Sequence, residues 1–489
     1  MQAHATMILK FKKYSDFYKV ENLSTPKCIF KIQNILKKYS RIDWIELLTY
    51  ISKRIFLGSN LNLIYTLQRE LFHIDEFILI HRRANLLLAQ LLFSLKEDEF
   101  SNRTDIIRID ILELYLLINE CLDLSETEKL LGQPPQNVFF STFKIVHTSF
   151  NEGDLQVSMT LFLEYYQRIS NDPEAQALKD SIKNALGVEF DEIVNYLKSI
   201  QGSSARTESF EFLDKLVVIN YENIDYAWEH RNPKIPLPFE FYFLEKFAFI
   251  KKGTIYYSYD VYQLFHSIIT RIYNVLFNQT DINFKDYFGK KIVEPILIDR
   301  LTKNLTSQNI SLLQVQTKKY EYADFGLKFE KDIYLFEIKS IYFSPEIRFS
   351  QNLDFFLTSF NGKYVKNGGI EQQINHIIDI DKNISRFLKL NNLPKEKYRF
   401  HLILIGFDEG LQSFGCNLYL NNYFKKRYLE INPILTNLDL SPDYCVVTIS
   451  ELEILFDRFE SPDKKLSALK KYIVSTQKIY PFREFVSTD

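Results

Sequence analysis

Glycine, proline and cysteine are scarce in this 489-residue chain: Gly and Pro number 14 each, Cys 4, Met 3 and Trp 2. So little Gly and Pro excludes a collagen-like, linker-like or disordered chain. The four cysteines (Cys28, Cys121, Cys416 and Cys445) are far apart, with no CxxC pair or Cys/His cluster. That speaks against a structural zinc site and for buried thiols in a reducing compartment. A long apolar run is also missing. The most apolar stretch, Phe77 to Leu95, is broken by His81, Arg82 and Arg83, and reads as a buried helix rather than a membrane span. The first residues lack the apolar core of a signal peptide, so the expected location is cytoplasmic, with no membrane partner. Neither a phosphate loop ending in Gly-Lys-Ser/Thr nor a Gly-x-Ser-x-Gly elbow occurs, which excludes the ATPase and serine-hydrolase chemistry those motifs carry.

What is present is a folded composition: 46% apolar, 25% charged, with 42 Phe and 30 Tyr that predict aromatic-rich cores. The net charge of −2 is unevenly spread; residues 251–489 sum to +4 and residues 1–250 to −6, although residues 1–60 alone sum to +7. A basic C-terminal half suits a polyanionic partner.

The length predicts more than one domain. Residues 1–200 read as successive helices, with apolar residues at three- and four-residue spacing in Ile42–Ile55, Leu61–Leu71, Ile106–Leu122 and Val157–Ile169. Residues 201–238 read as a linker region, polar at Gln201–Ser204 and proline-rich at Arg231–Pro238. Phe239 to Leu305 is again helical in pattern. Short β-rich runs follow at Ser311–Gln316, Asp332–Ile341, Tyr398–Phe407 and Tyr444–Ile449, with a helix between the second and third at about Gly369–Leu390. The expectation is an α+β chain: a mostly helical N-terminal domain, then an α/β/α domain built on a mixed sheet over residues 239–489.

The chemistry concentrates in Tyr322-Ala-Asp324-Phe-Gly-Leu and Tyr334-Leu-Phe-Glu337-Ile-Lys339-Ser. In a strand Ile333, Leu335, Glu337 and Lys339 share a face. Both faces begin apolar, so a carboxylate and an ammonium emerge at the end of a central strand, where burial is costly unless they are paired or bind a metal. A turn at Glu330–Asp332 makes a hairpin that sets Asp324 beside Glu337. Two adjacent carboxylates repel, and a hard divalent cation, Mg²⁺ or Mn²⁺, relieves that repulsion. Lys339 is placed to polarise a phosphate oxygen or help deprotonate a water, as metal-assisted phosphodiester hydrolysis requires. Glu294 occupies the apolar stripe of Leu297, Ile298, Leu301 and Leu305, next to Pro295, which should start or kink the helix there. On the Gly369–Leu390 helix Gln373 falls at the edge of the buried face and Gln372 points away, so Gln373 is the expected partner of the sheet end.

Glu294, Asp324, Glu337-x-Lys339 and a glutamine on the next helix together resemble the PD-(D/E)XK, or restriction-endonuclease-like, nuclease superfamily. The resemblance covers roughly residues 280–450 and departs from the family pattern in having Ala323, not proline, before Asp324. It implies Asp324, Glu337 and Glu294 as metal ligands, Lys339 as the catalytic lysine and Gln373 as the accessory glutamine. Lys363 and Lys366, Lys397 and Arg399 are the expected nucleic-acid contacts, and the basic cluster Lys425 to Arg427 is a further candidate. The implied function is a Mg²⁺- or Mn²⁺-dependent nuclease, with DNA favoured over RNA, controlled by the helical half in an arrangement that resembles effector nucleases of bacterial defence. A homo-oligomer or a protein partner would engage the helical half. The alternative is a nuclease-like fold that only binds nucleic acid.

Overall fold

The structure is a computed structural model. It describes residues 13–57, 82–122, 133–146, 152–202, 217–230, 242–279, 283–317, 320–341, 343–348, 352–366 and 368–486, with residues 69, 80, 214 and 350. Of the sequence expectations, the Leu61–Leu71 helix apart from Arg69, most of the polar linker and the proline-rich connector lie outside the described residues.

Helix and sheet are mixed, and the chain divides into two compact units: residues 1–128 with 148–284, and residues 129–147 with 285–489. These bounds differ from a division at 200 and 239, for two packing reasons. In the first unit, β1 (Val218–Asn220), β2 (Phe249–Lys252) and β3 (Ile255–Tyr257) form one small sheet, β1 parallel and β3 antiparallel to β2. The stretch around 239–284 expected to be helical therefore holds two strands, tied to residues before it. In the second unit, helix Pro135–Val146 supplies Phe139 and Phe143, whose rings pack against Phe356 and, respectively, Phe360 and Phe343.

The first unit is otherwise helical. Helices Arg41–Leu57, Arg108–Cys121 and Glu152–Asn171 fall on the predicted runs, Arg82–Phe93 lies in the buried helix expected within Phe77–Leu95, and Thr25–Leu36 is a further helix. The Glu120 carboxylate holds the start of the described chain by accepting from Ser15 N at 3.1 Å, Ser15 Oγ at 2.6 Å and Leu23 N at 3.0 Å. All four cysteines are buried free thiols.

The second unit is built on a five-stranded sheet in the order β4 (Ile310–Leu312), β5 (Phe325–Phe329), β6 (Asp332–Lys339), β7 (Arg399–Gly406), β8 (Asp439–Thr448). β4, β5 and β6 are antiparallel neighbours; β6, β7 and β8 are parallel. Parallel neighbours need crossovers. Helices Ile370–Lys382 and Ile384–Leu390 provide the first and Cys416–Ile431 the second. β6 is central, and its residues Asp332 to Ile338 are all buried. Ile333 and Leu335 share one apolar cluster with Leu402, Leu404, Tyr444, Val446, Ile374, Ile377, Leu420 and Phe424. Among the described residues no helix is long and apolar enough to cross a membrane.

Candidate active site

The β5–β6 hairpin turns through Glu330 and Lys331, with Glu330 in the left-handed region at φ 53°. Its register pairs Phe325 with Phe336, so Asp324 comes next, opposite Glu337. Asp324 N donates to Phe336 O at 3.1 Å, and Asp324 Oδ2 accepts from Ile338 N at 2.6 Å. Both carboxylates are buried, Asp324 at 8% and Glu337 at 2% exposure. Lys339 Nζ donates to Glu337 Oε1 at 2.6 Å. The other Glu337 oxygen, Oε2, is buried without a hydrogen-bond partner among the described residues.

Glu294 begins helix Glu294–Leu305, and the seven residues before it, Tyr287–Val293, form a π-helical turn. The predicted irregularity at Pro295 thus takes the form of a wide turn running into the helix at Glu294. Gly289 in that turn leaves room for the neighbouring Ser340 Oγ and Glu294 Oε1, which a Cβ would meet at 3.1 and 3.8 Å.

The electrostatics follow from this crowding. Burial, and then the charge of Asp324, pushes the Glu294 carboxyl up to about 7. Burial and the charge of Glu337 raise Asp324 well above the ordinary carboxylate range. Burial also raises Glu337, with Lys339 opposing and the charges of Glu321 and Glu294 reinforcing. Glu321, exposed at the mouth, is a fourth acid that the sequence reading missed; it sits in an isolated bridge with Gln316, which no strand pattern announces.

Two expectations are corrected. Gln373 is not the glutamine that meets Lys339; it bonds β7 at Ile403, one register position short of the one opposite Glu337. It is 3% exposed, donates through Nε2 to Ile403 O at 3.1 Å and accepts from Tyr444 Oη at 2.7 Å. Gln372 is the residue that meets the site, its Oε1 lying 3.4 Å from Lys339 Nζ. The reason is directional: Gln373 faces down onto the sheet, to Ile403 O and Tyr444, whereas Gln372, on the half-exposed flank, meets Lys339. Gly368 (φ +105°) makes that approach feasible, since a Cβ there would stand 3.0 Å from Gln372 Oε1 and 3.1 Å from Lys339 Nζ. His376, one turn after Gln372, is half-buried with no partner for Nδ1 among the described residues; burial holds its ring below the usual imidazole value, and a hydrogen bond with the Tyr322 backbone opposes this.

The second correction concerns Lys397 and Arg399. β6 and β7 are parallel, and Arg399 pairs with Asp332 while Lys339 pairs with Gly406. Both basic residues are therefore at the opposite end of the sheet, about 20 Å along the strand from Lys339. Lys397 is also paired with Asp439 at 2.7 Å. Arg427 and Lys425 are engaged by Glu371 and Asp443 at 2.8 and 3.2 Å. Lys363 lies over the Phe343 ring at 4.6 Å, and Lys366 is exposed in the same turn, Gly362–Lys366, just before Gly368.

Among the described residues no three His, Cys, Asp or Glu side chains stand ready to enclose a metal ion. What the donor set offers is smaller: two facing carboxylates, one with an unused buried oxygen, and Glu294 nearby. Mg²⁺ needs no more from a protein than one or two carboxylates, taking its other ligands from water and phosphate. No family model matches the chain, and neither a curated protein nor a solved structure matches it.

Proposed function

We propose that the second unit is a Mg²⁺- or Mn²⁺-dependent nuclease with a restriction-endonuclease-like fold, acting on nucleic acid, DNA before RNA. The observation that carries this reading is the pairing of Asp324 with Glu337 beside Lys339 at the end of β6, with Glu337 Oε2 unused. In an open sheet with parallel strands, the carboxyl ends of the strands are where ligands bind. Asp324, Glu337 and Glu294 would hold the cation, which would supply Lewis acidity at the phosphate. The chain's own groups do the rest. Lys339 is held by Glu337 and Gln372 so that its ammonium can turn to a non-bridging phosphate oxygen, where negative charge grows as water adds and the P–O bond to the leaving oxygen breaks. Glu294, whose carboxyl burial pushes up to about 7, would give up its proton on taking the cation, which makes cation binding weaker as pH falls. Lys363 and Lys366, next to Gly368, are the basic groups placed at this end of the sheet to meet a phosphate backbone.

Plasmid, linear duplex DNA, single-stranded DNA and RNA incubated with Mg²⁺, Mn²⁺ or EDTA test the reading. Cleavage with either cation, absent in EDTA and in Asp324→Asn, is expected. Salt-sensitive binding without any cleavage would favour the binding-only alternative.

A further inference from the structure

A π-helical turn is rare, and where one occurs it frequently marks a functional site. Among the described residues there are two, Tyr287–Val293 and Gly362–Lys366, and both come to the end of β6. Gly289 of the first meets Ser340, where a Cβ would stand 3.1 Å from the hydroxyl oxygen. The second is folded back on Gly369, where a Cβ would overlap Tyr364 O, and the neighbouring Gly368 would bring a Cβ to 3.1 Å from Lys339 Nζ.

Side chains alternate along an extended chain, so Lys339 and Ser340 turn to opposite sides of the sheet. Ile333 and Leu335, on the Lys339 side, pack in one cluster with Tyr364, Val365 and Ile374, which puts the Gly362–Lys366 turn over that side. The Tyr287–Val293 turn stands over the other. The strand end between them is open to solvent: the Lys339 side chain is 16% exposed, Glu294 is half-buried and Glu321 is exposed. Each turn is also basic. Lys291 lies over the Tyr287 ring at 5.9 Å, whereas Lys290 is exposed and near enough to Glu294 for its charge to act on that carboxyl. On the other side Lys363 lies over Phe343 and Lys366 is exposed. One outward ammonium thus flanks the acid cluster on each side.

We propose that the nucleic-acid strand to be cut crosses the end of β6 from one face of the sheet to the other, with Lys290 and Lys366 binding the phosphates on either side of the one presented to Lys339. The acids at the centre repel a polyanion, and the two flanking ammonium groups supply the attraction that holds the backbone across them. This deepens the nuclease reading and rests on it for the phosphate at the centre; the flanking grip is a binding property, measured without cleavage.

The test is fluorescence anisotropy of a fluorescein-labelled DNA duplex on the full chain, with Ca²⁺ in place of Mg²⁺, over a series of salt concentrations. Lys290→Gln and Lys366→Gln should each weaken binding about fivefold and lower the slope of log affinity against log salt by about 1, and the double variant should lower it by about 2. Lys331→Gln, at the far end of β6, should change neither. All three lysines are exposed, so melting midpoints should stay at the wild-type value. With Mg²⁺, the Lys290 and Lys366 variants should raise KM and leave kcat nearly unchanged, because the grip is the same before and during reaction. A slope that Lys290→Gln leaves unchanged, an equal loss in Lys331→Gln, or no binding by the wild type would each overturn the proposal, whether or not the wild type cuts. The expected slopes in a wild type that does not cut would keep the grip and remove the nuclease reading.

Discussion

Strand β6 carries an acid at each end, and the two ends differ in how many acids share the groups that serve them. At the start, burial pushes Asp332 upward, but hydrogen bonds from His401 Nε2 at 3.0 Å and Lys470 Nζ at 2.5 Å outweigh it and hold the carboxyl down to about 2. At the other end Lys339, with Lys290 acting on Glu294, faces Asp324, Glu337, Glu294 and Glu321, and the first three carboxyls are all raised. Depth and residue type are alike; the ratio of acids to cations is not. The first end is finished by the protein itself and reads as structure. The second is short of positive charge, which is the condition under which a site accepts a metal or a proton.

The widest separation between the ends should come from neutralising each. Asp324→Asn and Lys339→Ala are expected to lower turnover on nucleic acid by about two to three powers of ten, with binding retained for Lys339→Ala because one ammonium adds little to phosphate affinity. Asp332→Ala should leave turnover per folded molecule unchanged but cost about 3 kcal/mol of stability, since it strands His401 and Lys470. Wild-type cleavage by Lys339→Ala, read in the plasmid assay, would remove the catalytic assignment. Lost turnover in folded Asp332→Ala would erase the contrast between the ends.

A smaller effect separates them by pH. The raised carboxyls of Glu294 and Asp324 contribute stability that is complete below the ordinary carboxylate range and is lost as pH rises through about 7, and Glu337, raised as well, acts in the same direction. Asp332 does the reverse: its contribution is present above its ordinary value of 3.8 and is lost as pH falls toward 2. Between pH 6 and 8 the first set titrates and Asp332 does not; Glu451, buried and pushed up to about 7, adds a slope of the same sign that Asp324→Asn leaves in place. The metal-free melting midpoint should therefore fall by a few degrees over that interval, and Mn²⁺ should restore more at pH 8 than at pH 6, because bound protons compete with the cation. A flat profile, or one whose slope Asp324→Asn leaves unchanged, would count against the crowded-acid picture.

Much of the site was legible because it depends on local periods. Alternation along β6 and a two-residue turn are enough to put Asp324 beside Glu337, and Pro295 is enough to mark an irregular helix start. What was not legible depends on which end of a long element faces what. Basic residues around Tyr398 look close to the site along the chain, but a parallel crossover sends them to the opposite end of the sheet. β1–β3 are three or four residues each, too short for alternation to register against a helical background. Arg82 and Arg83 were legible as interruptions of an apolar run, but the partner of Arg82 was not, because Asp260 lies far along the chain.

The finest distinction is between two adjacent glutamines. Gln372 touches Lys339 at 3.4 Å from a half-exposed position, so its loss should barely alter folding. A bond that long and that wet is worth about 1 kcal/mol, which as orientation of the ammonium amounts to about a fivefold drop in turnover for Gln372→Ala. Gln373 is the opposite case. Its amide fills two buried hydrogen bonds, to Ile403 O and from Tyr444 Oη, and Gln373→Ala leaves both partners unsatisfied in the core. That should cost about 2 kcal/mol in urea unfolding, with turnover of the folded fraction unchanged. The sequence had favoured Gln373 for the catalytic role. If Gln373→Ala keeps its stability and loses turnover while Gln372→Ala does neither, that earlier choice is right, and the helix flank is not what faces the site.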